Sequence, residues 1–147
     1  MVLLAPLALP PRMDAATTEL VVTDRYSGLA IDGYDPVAYF IDGRAEQGRP
    51  SEEYRFAGVV WRFHNEGNRA AFRGDPNAYM PSFGGYDPVA IGRGVAVAGN
   101  PLVWAVADEK LYLFFSYEAR ARFLGDPGRA MVAAEARWPA VRSLLVP

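Results

Sequence analysis

The chain has 147 residues, 51% of them hydrophobic and 13% aromatic, which is enough to bury one core and too little for two large domains. Its formal net charge of -2 provides no basic field to neutralise a phosphate backbone, which argues against a nucleic-acid partner. With no cysteine, disulfides, thiolate metal ligands and a thiol nucleophile are excluded, and no apolar run approaches the roughly 20 residues that span a bilayer.

In chain order, the first feature is Met1 to Arg12, MVLLAPLALPPR, apolar like the h-region of an export signal but without the basic segment that should precede it. Two readings stand. Either it is the remnant of a signal peptide whose start lies further upstream, which implies a periplasmic or otherwise exported protein, or it is a proline-stiffened arm, with a cytoplasmic location if Met1 is the true start. Residues 1–20 are set apart from the folded domain on this ground.

The body of the chain repeats itself. Gly33-Tyr34-Asp35-Pro36-Val37-Ala38 recurs unchanged at Gly85 to Ala90, displaced by 52 positions, and Phe72-Arg73-Gly74-Asp75-Pro76 recurs as Phe123-Leu124-Gly125-Asp126-Pro127, displaced by 51. Self-similarity at a fixed period marks a duplicated supersecondary unit, here about 33–84 and 85–138. Within the first copy, Tyr54 to Phe56 and Val59 to Phe63 flank Ala57-Gly58 and predict a hairpin, with Trp61 and Phe63 on one face and Val60, Arg62 and His64 on the other. In the second, Leu102 to Ala107 and Leu111 to Phe115 flank a short connection at Asp108-Glu109-Lys110. Both faces of Leu111 to Phe115 are apolar, so that strand should be central and covered on both sides.

Each hairpin runs into a helix-capping residue, Asn65 or Ser116. The short helix that follows should stop at Gly74 or Gly125, and the next Asp-Pro can open a new helix, with proline at its first position. Pro81 ends that helix at once in the first copy. In the second, Met131, Ala134, Trp138 and Val141 form one stripe, predicting a longer C-terminal helix that packs on the sheet and bends or breaks near Pro139. The expectation is one α+β domain of two tandem, degenerate hairpin-helix units with a C-terminal helix.

Three segments, Gly33 to Phe40 (GYDPVAYF), Trp61 to Phe72 (WRFHNEGNRAAF) with its sequel Asp75 to Tyr79, and Phe83-Gly84-Gly85-Tyr86, together resemble the small exported bacterial proteins of the YHS-domain family, over residues 28–140. The resemblance implies a compact hairpin and helix module related to cysteine-bearing metal-binding modules. Metal-binding versions carry Asp-Pro-Val-Cys at the first element and Phe-Cys-Ser-x-x-Cys where the hairpin enters the helix. Here those cysteine positions hold Ala38, His64 and Asn68 in the first copy, and Ala90, Phe115 and Ala119 in the second. Neither alanine nor phenylalanine can replace a thiolate, so the second site is dead by composition. Exported members also often read Gly-Gly-Tyr-Cys, where this chain has Asp87.

The candidate residues each carry two readings. His64, the single histidine, could hold copper or zinc with Asn68 one turn later and with Asp35 or Asp87, or it could be a partly exposed residue at the helix start; a stable transition-metal site needs three or four good ligands. Asp35 and Asp87 could pair across a pseudo-twofold axis for acid-base work or a hard cation, or each could close an Asp-Pro turn by accepting the N–H two residues on. Tyr34, Tyr86, Trp61 and Tyr79 could line an apolar ligand pocket or belong to the core. Met80 beside Pro81 is weak evidence for copper, and Gly92-Arg93-Gly94 is not a phosphate loop, because no helix follows it. No catalytic constellation is visible. The expected function is a non-catalytic exported module that binds a partner protein or small ligand after loss of the family's thiolate site, with residual metal binding as the alternative.

Overall fold

A computed structural model describes residues 19–146. The architecture is mixed α+β, with two separate antiparallel ribbons of two strands each and six helices among the described residues. The first ribbon joins β1 (Arg49–Phe56) to β2 (Val59–Phe63), and the second joins β3 (Asn100–Ala107) to β4 (Lys110–Phe114). Both turn on two residues of positive φ: Ala57 (54°) and Gly58 (78°), then Asp108 (48°) and Glu109 (61°). That left-handed pair is the signature of the tight hairpin turn whose twist matches the twist of its strands.

The strands start earlier than the alternation of residues predicts. The register shifts between Arg49 and Glu53 in one ribbon and between Asn100 and Trp104 in the other, so the first pairs are Arg49 with Phe63 and Asn100 with Phe114. An irregularity of this kind breaks the period of two and hides the strand start. It also accommodates Pro50 and Pro101, which lack the N–H a regular ladder requires.

Leu111 to Phe114 are all buried. Leu111 and Leu113 pack with Val37, Tyr39, Trp61, Phe63 and Phe72 from the first half of the chain, while Tyr112 and Phe114 pack with Val103, Ala105 and Phe123 from the second. The strand is therefore covered on both faces as expected, but it is hydrogen-bonded on one side only and is not the centre of a wider sheet. Phe115 lies past its end and is 65% exposed. A second link crosses the same seam: the Tyr39 hydroxyl donates to the Pro101 carbonyl at 2.8 Å, and its ring meets Trp104 edge-on at 5.2 Å. Burial pushes the Tyr39 phenol well above its ordinary pKa, so the hydroxyl stays a donor.

α1 (Ala38–Ile41) follows the first Asp-Pro, and α2 (Glu66–Gly74) follows the first hairpin. α3 (Pro76–Tyr79) is one turn long, α4 (Pro88–Gly92) follows the second Asp-Pro, and α5 (Tyr117–Gly125) and α6 (Pro127–Arg142) complete the chain. The capping expectations hold: Asn65 accepts the Asn68 N–H at 2.7 Å, and Ser116 accepts the Ala119 N–H at 3.1 Å. Gly74 and Gly125 are the last helical residues, but the chain departs through extended aspartates, Asp75 (φ −153°) and Asp126 (φ −154°), and not through a left-handed glycine.

The stripe on α6 faces inward, with Ala134 and Val141 buried and Met131 and Trp138 partly so. It differs from the expectation in two respects. The helix leans on α4 rather than across a sheet, so closely that a Cβ on Gly92 would lie 3.2 Å from that of Ala133. Pro139 sits within the helix, which continues to Arg142, and Trp138 meets Phe83 edge-on at 5.4 Å. Glu19 and Leu20, grouped with the N-terminal arm from sequence, belong to the fold: Leu20 N–H donates to Val146 at 2.8 Å. The rest of the predicted signal remnant, residues 1–18, lies outside the described residues.

The hairpin turns differ in cost, because a residue with a Cβ in the left-handed region loses roughly 1–2 kcal/mol that glycine does not. Glu109 occupies the place that Gly58 holds in the other turn. Glu109→Gly should raise stability by about 0.5–1 kcal/mol after glycine's added chain entropy is deducted. A higher urea midpoint with an unchanged slope is the expected readout.

Candidate functional site

Each Gly-Tyr-Asp-Pro string is entered through a 3-10 turn in the left-handed region. The φ values are 43°, 56° and 80° at Ile31, Asp32 and Gly33, and 56°, 63° and 90° at Phe83, Gly84 and Gly85. Gly84 cannot be replaced without rebuilding the turn, since a Cβ there would stand 1.9 Å from the Leu20 carbonyl oxygen. Out of each turn the chain delivers its aspartate inward, and both Asp35 and Asp87 are buried.

Both carboxylates do the same structural work. Asp35 Oδ1 accepts the N–H groups of Val37 (2.8 Å) and Ala38 (3.3 Å), and Asp87 Oδ1 accepts those of Val89 (2.8 Å) and Ala90 (3.4 Å). The second oxygen reaches the strand-to-helix junction, where Asp35 Oδ2 takes the His64 N–H and Asp87 Oδ2 the Phe115 N–H, each at 2.9 Å. The Asp35 and Asp87 N–H groups donate at 2.8 Å to the carbonyls of Glu46 and Val97. One bond has no counterpart. Asn68 Nδ2 donates to Asp35 Oδ2 at 2.8 Å, and the matching position on α5 is Ala119, which has nothing to donate.

The structure thus brings together three of the four predicted metal residues, Asp35, His64 and Asn68, but His64 joins through its backbone N–H. Its imidazole is partly exposed, with Nε2 3.3 Å from Asp42 Oδ2 and 3.0 Å from Asn65 Nδ2. Asp87 belongs to the other half, and the two carboxylates share no hydrogen-bond donor. Among the described residues, no three His, Asp or Glu side chains converge on a point that could hold a metal ion.

The four predicted pocket aromatics do not gather in one place. Trp61 is fully buried, donates from Nε1 to the Phe56 carbonyl at 3.0 Å, and presents one side to a cleft of about 460 Å³ shared with Met80, Trp138 and Arg142. Tyr34 and Tyr79 pack against the first-half core, Tyr79 meeting Phe40 edge-on at 5.6 Å. Tyr86 is fully buried with Val22, Ile91, Ala134 and Val141, and its hydroxyl donates to the Glu19 carbonyl.

Comparison with family models, curated proteins and solved structures found no match. The functional reading therefore rests on geometry, and one feature of it was missed in sequence. A cleft of about 390 Å³ opens beside Asp87, lined by Arg93, Phe115, Ala119 and Arg122 among others, and a second of about 280 Å³ adjoins it through Val89, Arg93 and Arg122. In the sequence Arg93 stands out only as the centre of Gly92-Arg93-Gly94. A usable signal did exist in the aligned repeats, where Ala119 stands opposite Asn68.

Two outcomes follow from these contacts. A hydrogen bond to a buried carboxylate is worth about 1.5–3 kcal/mol, so Asn68→Ala should cost that much in a urea unfolding curve, more than the roughly 1 kcal/mol of a lost helix cap in Asn65→Ala. Asp32 lies at the surface, yet partial desolvation in its turn, and then repulsion from Asp24, raise its pKa. A raised folded-state pKa means that ionisation opposes folding: the stability of the neutral form is present below the unfolded value of about 3.9 and lost as pH rises through the folded value. Asp32→Asn should therefore stabilise the protein at pH 7 more than at pH 3, measured as the difference in melting temperature from wild type at each pH.

Proposed function

We propose that this chain is a non-catalytic binding module of the YHS-like kind, exported, in which a duplicated hairpin-helix scaffold persists without its thiolate site and holds a small ligand. The observation that carries this reading is the commitment of both buried carboxylates to backbone N–H groups at the same relative positions. A carboxylate tied to three or four donors is a structural hub and is poorly placed to exchange protons with a substrate. Support for the duplicated scaffold comes from hydrogen bonds that recur at displacements of 51 or 52 residues, such as Gly48 N–H to Gly33 at 2.8 Å and Gly99 N–H to Gly85 at 2.9 Å. The clefts beside Asp87 supply room for a ligand. Export rests on the apolar character of Met1 to Arg12 alone.

A second reading, residual copper or zinc binding, draws on the 3.3 Å approach of His64 Nε2 to Asp42 Oδ2. Two donors fall short of the three or four that hold such an ion tightly.

One experiment addresses both. Purified protein is heated with a panel of amino acids, organic acids, amines and sugars, and separately with Cu²⁺ and Zn²⁺, wild type beside His64→Ala. A ligand at 100 times its Kd should add about 2.7 kcal/mol, or roughly 6–10 °C in melting temperature, and be recovered unchanged. The metals should shift the two proteins equally. Conversion of the stabilising compound, or no stabilisation by any panel member, overturns the binding-module reading; a metal shift lost in His64→Ala would establish the second.

A further inference from the structure

The two halves place the same aspartate in the same turn and surround it differently. Asp35 Oδ2 accepts two donors, the His64 N–H and the Asn68 amide, at 2.9 and 2.8 Å. Asp87 Oδ2 accepts the Phe115 N–H alone. Ala119 leaves the second direction open, and that opening coincides with the cleft of about 390 Å³. Asp35 demonstrates, in the same local geometry, that such an oxygen can take a second donor. Asp87 is 2% exposed, a buried acceptor in the lining of this cleft.

The rest of the wall restricts what can supply the donor. Arg93 and Arg122 line the same cleft. Arg122 is paired with Glu118 at 2.9 Å, and Arg93 has no ion-pair partner among the described residues. Glu118 lines the cleft too and offsets Arg122, which leaves Asp87 and Arg93 as the uncompensated charges: a simple cation would find Asp87 and repulsion from Arg93, and a simple anion the reverse. A molecule with an ammonium group and a carboxylate a short distance apart meets both needs. Beside these groups the wall carries Ser116 and an apolar part, Val89, Val97 and Ala119, where Phe115 offers an exposed ring.

Building on the binding-module reading, we propose that this cleft binds a free amino acid with an apolar side chain. Its ammonium group donates to Asp87 Oδ2 in the place that Asn68 fills in the first half, its carboxylate pairs with Arg93 beside Arg122, and its side chain lies against Val97 and Phe115. Cleft volume is within the range that encloses small ligands. No bond is made or broken.

The test is calorimetric titration of the full chain with L-leucine, L-leucinamide and 4-methylpentanoate, the last two lacking the carboxylate charge and the ammonium group respectively. Leucine should bind wild type, and each analogue at least tenfold more weakly. Ala119→Asn, which copies the first half, should weaken leucine binding at least tenfold while holding or raising the melting temperature. Arg93→Gln, a change at an exposed side chain, should weaken it similarly with the melting temperature unchanged, and it remains informative if Ala119→Asn misfolds. Absence of leucine binding, equal binding of either analogue, or leucine binding unaffected by both variants overturns the assignment. If another panel compound stabilises the protein with no sensitivity to these variants, the module still binds ligands and only this site is lost. Failure of every compound removes the broader reading as well.

Discussion

Asp35 is fully buried, and its two oxygens accept four hydrogen bonds from three separate stretches of chain: its own turn, the junction of β2 with α2, and the first turn of α2. A carboxylate taken out of water without donors would cost several kcal/mol, and with four it becomes a clamp. The glycine-tyrosine turn aims it, its Oδ1 holds the N–H groups of Val37 and Ala38 at the start of α1, and the hairpin must return to the same point to supply the His64 N–H. Local turn chemistry thereby sets where the ribbon has to end, at His64, 29 residues away. Asp87 repeats the arrangement for the second ribbon.

The halves are then joined through β4. A two-stranded ribbon in isolation is marginally stable, because one of its faces remains wet. β4 escapes this by giving Leu111 and Leu113 to the core of the first half and Tyr112 and Phe114 to that of the second. Tyr39 reinforces the seam, its ring against Trp104 and its hydroxyl on Pro101. Separating the halves would expose both leucines and leave a buried hydroxyl without its acceptor.

Equivalent scaffolds need not have equivalent interiors. Around Asp35 the side chain of Asn68 adds a second donor to Oδ2. Around Asp87 an alanine does not, and arginines on the neighbouring helices edge the resulting cleft.

Much of this was legible in the linear chain. The duplicated Gly-Tyr-Asp-Pro strings, the capping by Asn65 and Ser116, the opening of new helices at Pro76 and Pro127 and the inward stripe of α6 all depend on neighbours within about four residues, where residue type and spacing suffice. The early strand starts at Arg49 and Asn100 were hidden because a register shift erases alternation, and the support for α6 was misjudged because periodicity tells which face is buried and not what covers it. The aromatic residues chosen for a pocket were scattered between two cores for the same reason. Sequence alone determined the repeat, the caps and ends of α2 and α5 and the absence of every thiolate, since these are local or compositional. The tertiary structure decided that β4 is paired on one edge only and serves two cores, that His64 meets Asp35 through its backbone and that a cleft opens at Asp87, because burial and void space are set by residues 28 or more positions apart that only folding brings into contact.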